Sequence, residues 1–155
     1  MESPKNILIE ESFSVLGFQA RTKNIDEQDY EKSKIIPLWS EFKESTLTSY
    51  LDKDQPFVYG VYSDYESDHN GLYSITVGIN NDKLEDNKSF HEVIIKPGRY
   101  MVFEANGNQP EAIINTWGYI WSYFSDATHP RRKYSTDFEK HISDKKVEIY
   151  IAIVD

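Results

Sequence analysis

One order of apolar segments and turns occurs twice along the chain, and this doubling limits the fold more than any other feature. Each half opens with a segment rich in branched and aromatic residues, passes through a helical pattern, and ends in two more strand-like segments. In the first half we predict strands at 13–22, 57–62 and 72–79, with a helix at 35–51. This order predicts an α+β fold built from a duplicated βαββ unit, with an antiparallel sheet and two main helices.

The second half contains the best-defined helix of the chain. Large apolar residues recur at helical spacing from Ile113 to Phe124, after a start at Pro110. Strands are predicted at 91–95, 99–105 and 147–154, with an extended segment at 133–140.

A short sequence echo supports the duplication. Residues 63–66 (SDYE) correspond to residues 136–139 (TDFE), and each follows a helix and precedes an apolar strand. The 155 residues suit one domain spanning 1–155. We expect its core at about 13–154, with repeat halves at about 13–80 and 91–154.

The charge and aromatic content exclude several classes of protein. The chain has 26 acidic and 17 basic residues, a net charge of −9, which argues against direct binding to nucleic acid. Its aromatic content of 14% argues against disorder. Because it has no apolar run of membrane-spanning length and its first residues do not form a secretory signal, we expect a cytoplasmic protein without a membrane contact.

The residues that usually hold metals or cofactors show no known pattern. There is no cysteine, which removes thiolate metal sites and cysteine nucleophiles. The four histidines have no metal-binding spacing, and no phosphate-binding or dinucleotide-binding glycine motif is present. We therefore expect neither a metal nor a cofactor.

Several segments, in order along the chain, resemble the GyrI-like small-molecule-binding domain, also called the AraC-type effector-binding domain. They are FSVLGFQART, IPLW, YGVYSDYESDHNGLYSITVG, PGRYMVFEANG, WGYIWSYF, RRKYSTDFEKH and VEIYIAI. The resemblance runs from about Phe13 to Val154. It implies two βαββ units related by a pseudo-twofold axis, with a ligand cleft between them. Members occur fused to DNA-binding modules or alone, and this chain resembles the stand-alone form.

The resemblance also implies a ligand class and an anchor for it. Members bind cationic, lipophilic drugs and dyes, and the glutamate of the DFE motif, here Glu139, lies in the cleft. An unpaired buried carboxylate favours a cationic guest, and a cation over an aromatic face gains about 0.5–2 kcal/mol. The alternative for Glu139 is a surface residue paired with Lys140 or Arg132.

Five aromatic residues are candidates for the walls of this cleft. Trp117 and Trp121 lie four residues apart on the second helix, where they form either core or pocket wall. Trp39 has a similar position on the first helix. The resemblance places cleft aromatics in the first-half hairpin as well, here Tyr62 and Tyr73.

The last strand adds two candidates and an alternative function. Tyr150 and Glu148 are two residues apart and so share a face, with Glu148 either a second cleft acid or a solvated residue. Our main prediction is capture of a hydrophobic cation for sensing, transcriptional regulation or sequestration. The alternatives are a hydrolase of small electrophilic compounds, in which Glu139 and Glu148 position a water, and a module for a separate protein partner, like the gyrase-inhibiting members.

Overall fold

The computed structural model describes residues 3–54, 56–80 and 89–155. The strands in these ranges are β1 (Lys5–Ile9), β2 (Phe13–Thr22), β3 (Val58–Ser63), β4 (Tyr73–Ile79), β5 (His91–Ile95), β6 (Gly98–Asn106), β7 (Asp137–Ser143) and β8 (Lys146–Ala152). The helices are α1 (Asn24–Glu27), α2 (Ile35–Lys43) and α3 (Glu111–Ser125), and a 3-10 helix at Thr46–Tyr50 follows α2. None of these helices has the length and apolar character that a membrane crossing requires.

The strands form one antiparallel sheet whose order confirms the duplicated unit. The order is β1-β6-β8-β7-β3-β4-β2-β5. Read outward from the central β7–β3 pair, one side runs β3, β4, β2 and the other runs β7, β8, β6. These are the equivalent strands of the units β2-α2-β3-β4 and β6-α3-β7-β8, so the halves are related by a pseudo-twofold axis at the centre of the sheet.

The outermost strands are exchanged between the halves. β1 precedes β2 in the chain but pairs with β6, and β5 precedes β6 but pairs with β2. The sequence predicted β5 but not β1. β1 alternates between exposed and half-buried residues at the sheet edge, so its order comes from pairing with β6 rather than from an apolar pattern of its own.

The first predicted helix is divided in the structure. α2 ends at Lys43, and Ser45 takes an extended conformation before the 3-10 helix. The Ser45 hydroxyl donates to the carbonyl of Phe42 at 2.6 Å and accepts from the backbone N–H of Leu47 at 3.3 Å. Serine side chains compete with helical hydrogen bonds in this way. The resulting bend buries Leu47 beside Phe42.

Glu27 fixes the start of α2. Its carboxylate accepts hydrogen bonds from the backbone N–H groups of Lys34 at 2.9 Å and Ile35 at 3.1 Å, and from the Ser33 hydroxyl at 2.9 Å. A negative charge at a helix N-terminus satisfies the free N–H groups and is favoured by the helix dipole. Glu27 therefore holds the helix that carries Trp39.

Both faces of the sheet are apolar. One face is covered by α2 and α3. Phe42 of α2, Ile75 of β4 and Ile120 of α3 are buried between the helices and this face. On the other face, the rings of Phe13 in β2 and Phe138 in β7 lie 5.7 Å apart although two strands separate them in the sheet. In a flat sheet that separation would be about 14 Å, from three strand spacings. The sheet is therefore strongly curled, and this face closes on itself.

Candidate functional site

The β3–β7 pairing places Glu139 at the centre of the helix-covered face. Glu139 lies opposite Gly60, and Asp137 lies opposite Tyr62. Tyr62 in turn lies opposite Ile75, which shares its face with Tyr73 on β4. Since opposite residues of antiparallel strands point to the same side, all of these residues project toward α2 and α3.

The Glu139 carboxylate is buried and hydrogen bonded at both oxygens. Oε2 accepts from the Tyr62 hydroxyl and from Nε1 of Trp117, each at 2.8 Å. Oε1 lies 3.1 Å from Nε2 of His141, which donates to it when that nitrogen carries its proton. The Glu139 side chain is only 6% exposed. The anchor predicted from the DFE motif is thus an enclosed acid rather than a surface residue.

The surroundings keep this carboxylate ionised. Burial by itself would raise the pKa of Glu139, but the hydrogen bonds from His141, Trp117 and Tyr62, together with the charge that His141 carries when protonated, outweigh it and lower the pKa. Burial, together with the negative charge of Glu139, raises the pKa of Tyr62 well above its usual value. The site therefore combines a negative carboxylate with neutral phenol and indole donors.

Aromatic rings from both helices and from the first-half hairpin surround this carboxylate. The Tyr62 ring lies 5.3 Å from that of Trp117 and 5.4 Å from that of Tyr73. On the other side, Trp39 of α2 lies 4.6 Å from the ring of His141. The structure thus brings together Glu139 and four of the aromatic candidates: Trp39, Tyr62, Tyr73 and Trp117.

Gly60 leaves space next to the carboxylate. A methyl group at position 60 would lie 3.6 Å from Oε1 of Glu139 and 3.5 Å from Cζ2 of Trp39. These are ordinary van der Waals distances, so an alanine methyl would fit between the indole and the carboxylate, whereas a larger side chain would overfill the gap. No sequence pattern singled out Gly60, because its place in the site follows from its register opposite Glu139.

Trp121 lies at the rim of this cluster. Its ring is 6.2 Å from that of Trp117, one helical turn away, and it is 42% exposed. It does not touch the Glu139 carboxylate, but it extends the aromatic surface from the buried acid toward solvent.

Tyr150 and Glu148 lie on the opposite face of the sheet from Glu139. Tyr150 is opposite Phe138 in the register and stacks on it at 4.3 Å, while Glu148 is opposite Lys140 and accepts from the Tyr150 hydroxyl at 3.1 Å. The two residues share a face as the sequence predicted, but the face is the curled one. The sheet separates Glu148 from Glu139, so these two carboxylates cannot hold one water between them, as the hydrolase alternative required.

Arg132 is engaged by a second buried acid that the sequence analysis missed. Asp137 accepts from the Arg132 guanidinium at 2.7 Å, from the Tyr65 hydroxyl at 2.6 Å and from the backbone N–H of Ala152 at 2.8 Å. Tyr65 and Asp137 belong to the two echo segments, which meet here. Within the described ranges, Glu139 has no lysine or arginine partner, and its contact with His141 is an ion pair only when the imidazole is protonated.

His141 was also missed, although strand alternation could have found it. It is two residues beyond Glu139 on β7 and therefore projects from the same face. No group of three or more histidine, aspartate or glutamate residues in the described part of the chain is arranged to hold a metal ion.

Comparison with known proteins gives a consistent set of relatives. Residues 6–153 match the family of the integron-associated effector binding protein Cass2. YobU of Bacillus subtilis (strain 168), provisionally assigned as a transcriptional regulator, is 31% identical in an alignment 148 residues long, gaps included, that covers 88% of this chain and 89% of YobU.

Two solved structures share the fold. An integron cassette protein from the mobile metagenome of Vibrio cholerae is 31% identical, with a TM-score of 0.88 over 99% of this chain and 97% of that one. SAV2435, solved bound to tetraphenylphosphonium, is 19% identical, with a TM-score of 0.75 over 99% of this chain and 94% of that one.

Proposed function

Because this chain belongs to the integron-associated effector-binding proteins, which are GyrI-like small-molecule-binding domains, we propose that it binds a hydrophobic cation against Glu139, between α2 and α3. The family accounts for binding of a small molecule in general. The cationic class of the ligand and the role of Glu139 are our proposal. We assign the bound ligand an effector role, in sensing, transcriptional regulation or sequestration.

The observation that carries the proposal is a buried, ionised carboxylate with an aromatic surround. Glu139 is 6% exposed, and in the described residues no lysine or arginine neutralises it. A buried charge without a full counter-charge is unfavourable, and a guest cation removes that penalty. The rings of Trp39, Trp117 and Tyr62 offer the faces on which such a cation gains further energy.

The guest has to displace some of the rings that enclose the carboxylate. In the free protein the rings around Glu139 contact one another. α2 packs on β2 and β4, whereas α3 packs on β6, so each helix is held by its own half of the sheet. A modest separation of α2 from α3 would therefore open the site without breaking either unit. Tetraphenylphosphonium, the compound bound in SAV2435, is a suitable probe because it is bulky, aromatic and permanently charged.

A fluorescence titration tests the proposed function. Tetraphenylphosphonium should quench tryptophan emission saturably, because Trp39 and Trp117 lie beside the proposed cation position. Triphenylphosphine oxide, a neutral compound with three of the same rings, should bind about tenfold more weakly, a difference of about 1.4 kcal/mol. Equal affinity for the two compounds, or no saturable quenching, would contradict a cation site.

The space beside Gly60 gives a second prediction. We expect Gly60→Val to weaken tetraphenylphosphonium binding about tenfold, because overfilling a packed site costs about 1–3 kcal/mol. The fold should tolerate the change, since valine is favoured in strands. Gly60→Ala is the matched control and should bind almost normally. Unchanged affinity in a folded Gly60→Val protein, measured by calorimetry, would show that the ligand does not occupy this space.

A further inference from the structure

His141 lies between the proposed anchor and an indole ring. Its Nε2 is 3.1 Å from Oε1 of Glu139, and its ring is 4.6 Å from that of Trp39. The His141 side chain is 22% exposed, compared with 6% for Glu139. The imidazole is therefore more accessible to solvent than the carboxylate that it contacts. A protonated imidazole at this position makes the two kinds of contact proposed for the ligand, one with a carboxylate and one with an aromatic ring.

The charge of the His141–Glu139 pair depends on the imidazole. With a neutral imidazole the pair carries one negative charge, and with an imidazolium it carries none. A monovalent guest cation is attracted by the first state and meets a neutral pair in the second. Histidine is the side-chain type that ordinarily changes its charge between pH 5 and 8.

The other groups around His141 keep their charge in that range. On the neighbouring strands the residues opposite His141 are apolar, Val58 on β3 and Val147 on β8. The ionisable groups on this face include Glu139, whose lowered pKa keeps it negative, and the phenols of Tyr62 and Tyr73, whose raised pKa values keep them neutral. Asp137 shares the face and is ion-paired with Arg132. The charged neighbours in the register, Lys140 and Glu148, project from the opposite face. Among the described residues next to Glu139, His141 is thus the one whose side-chain type can change its charge in this range.

We propose that His141 is an internal competitor of the ligand: its protonated ring takes the cation position beside Glu139, and its deprotonation makes that position available. This inference rests on the proposed function and adds a regulation to the same site. Capture of a permanent cation then strengthens as the pH rises from acidic to mildly alkaline values. Binding releases the imidazole proton, so that a fall in pH promotes release of the ligand.

The test is a calorimetric titration of the full chain with tetraphenylphosphonium at pH 5.5, 6.5, 7.5 and 8.5. The charge of this probe does not change with pH. We expect the wild-type affinity to increase about tenfold or more across the series, since each proton released on binding contributes up to about tenfold per pH unit. His141→Gln keeps a neutral N–H donor toward Glu139. Its affinity should vary less than about threefold and should exceed that of the wild type at pH 5.5.

His129→Gln is the matched control. His129 stacks on Tyr123 at 3.9 Å, near the C-terminal end of α3 and away from Glu139, so this variant should keep the wild-type pH dependence. A pH dependence that persists in His141→Gln, or one that disappears in His129→Gln, would overturn the inference. Binding that requires Glu139 but does not change with pH would overturn it while leaving the proposed function intact. Absence of binding at pH 8.5 would overturn both.

A second measurement needs no variant at His141. Coupling is reciprocal, so a ligand that is displaced by the proton must also displace the proton. We expect saturating tetraphenylphosphonium to move the NMR titration midpoint of the His141 imidazole to lower pH. An unchanged midpoint in the saturated protein would contradict the competition.

Discussion

Replacing Glu139 by Gln should weaken the binding of tetraphenylphosphonium about tenfold to a hundredfold while leaving the protein folded. Glutamine has nearly the same shape, and its amide oxygen can still accept from Tyr62 and Trp117. What it removes is the charge. The Coulomb attraction between two unit charges about 6–10 Å apart is about 1.7–2.8 kcal/mol at an effective dielectric constant of about 20, which corresponds to this loss of affinity. Isothermal titration at pH 8 measures it.

The register supplies a matched control for this substitution. Glu148→Gln removes the same charge from the adjacent strand but on the opposite face of the sheet, so it should change the affinity by less than about threefold. The neutral triphenylphosphine oxide should bind both variants as it binds the wild type. Equal weakening by the two substitutions, or equal weakening of the neutral compound in Glu139→Gln, would assign Glu139 a purely structural role.

Asp137→Ala should lower the free energy of unfolding by about 3–5 kcal/mol, the usual loss when one partner of a buried ion pair is removed. Asp137 is fully buried, and the Arg132 side chain is 6% exposed. Burial alone would lower the pKa of Arg132, but the charge on Asp137 raises it. Among the described residues, Nε of Arg132 is buried without a hydrogen-bond partner, and Asp137 is the acid that neutralises the guanidinium. Urea unfolding gives the value.

A double substitution separates loss of the pair from loss of packing. If the unpaired arginine causes the instability, Arg132→Leu combined with Asp137→Leu should recover most of the lost stability. A loss below about 1 kcal/mol in Asp137→Ala would contradict the importance of this pair. A double variant as unstable as Asp137→Ala would instead assign the loss to Tyr65 and the backbone of Ala152, whose hydrogen bonds also end on Asp137.

The doubled apolar pattern was sufficient to predict the fold class. Six strands and two helices each bury a continuous face, and a buried face requires apolar residues at a regular spacing in the sequence. β1 left no such period, since it is a short edge strand with exposed residues. β1 and β5 each pair with a strand of the other half. The periodicity of a segment does not show which strand it pairs with. The break at Ser45 depends on one hydroxyl that competes for backbone hydrogen bonds.

The candidate site was predictable to the extent that periodicity fixes which residues share a face. Periodicity does not show which of the two apolar faces of the sheet lies under the helices. For this reason Tyr150 and Glu148 were grouped with Glu139. His141 and Asp137 were overlooked for a different reason. Both are two residues from Glu139 on β7 and share its face. The ring that His141 contacts, Trp39, comes from a distant part of the chain. Arg132 is five residues before Asp137 but lies outside the strand, where periodicity gives no side-chain direction.

The most direct test of the central claim is the position of a bound cation. Tetraphenylarsonium has the shape and charge of the phosphonium, and arsenic gives an anomalous X-ray signal that locates it in a crystal of the complex. We predict an arsenic peak on the helix-covered face beside Glu139, within about 6 Å of an aromatic ring centre. A fully occupied peak elsewhere would contradict the account. Examples are the groove lined by Leu8, Pro130 and Val154 and the curled face at Tyr150.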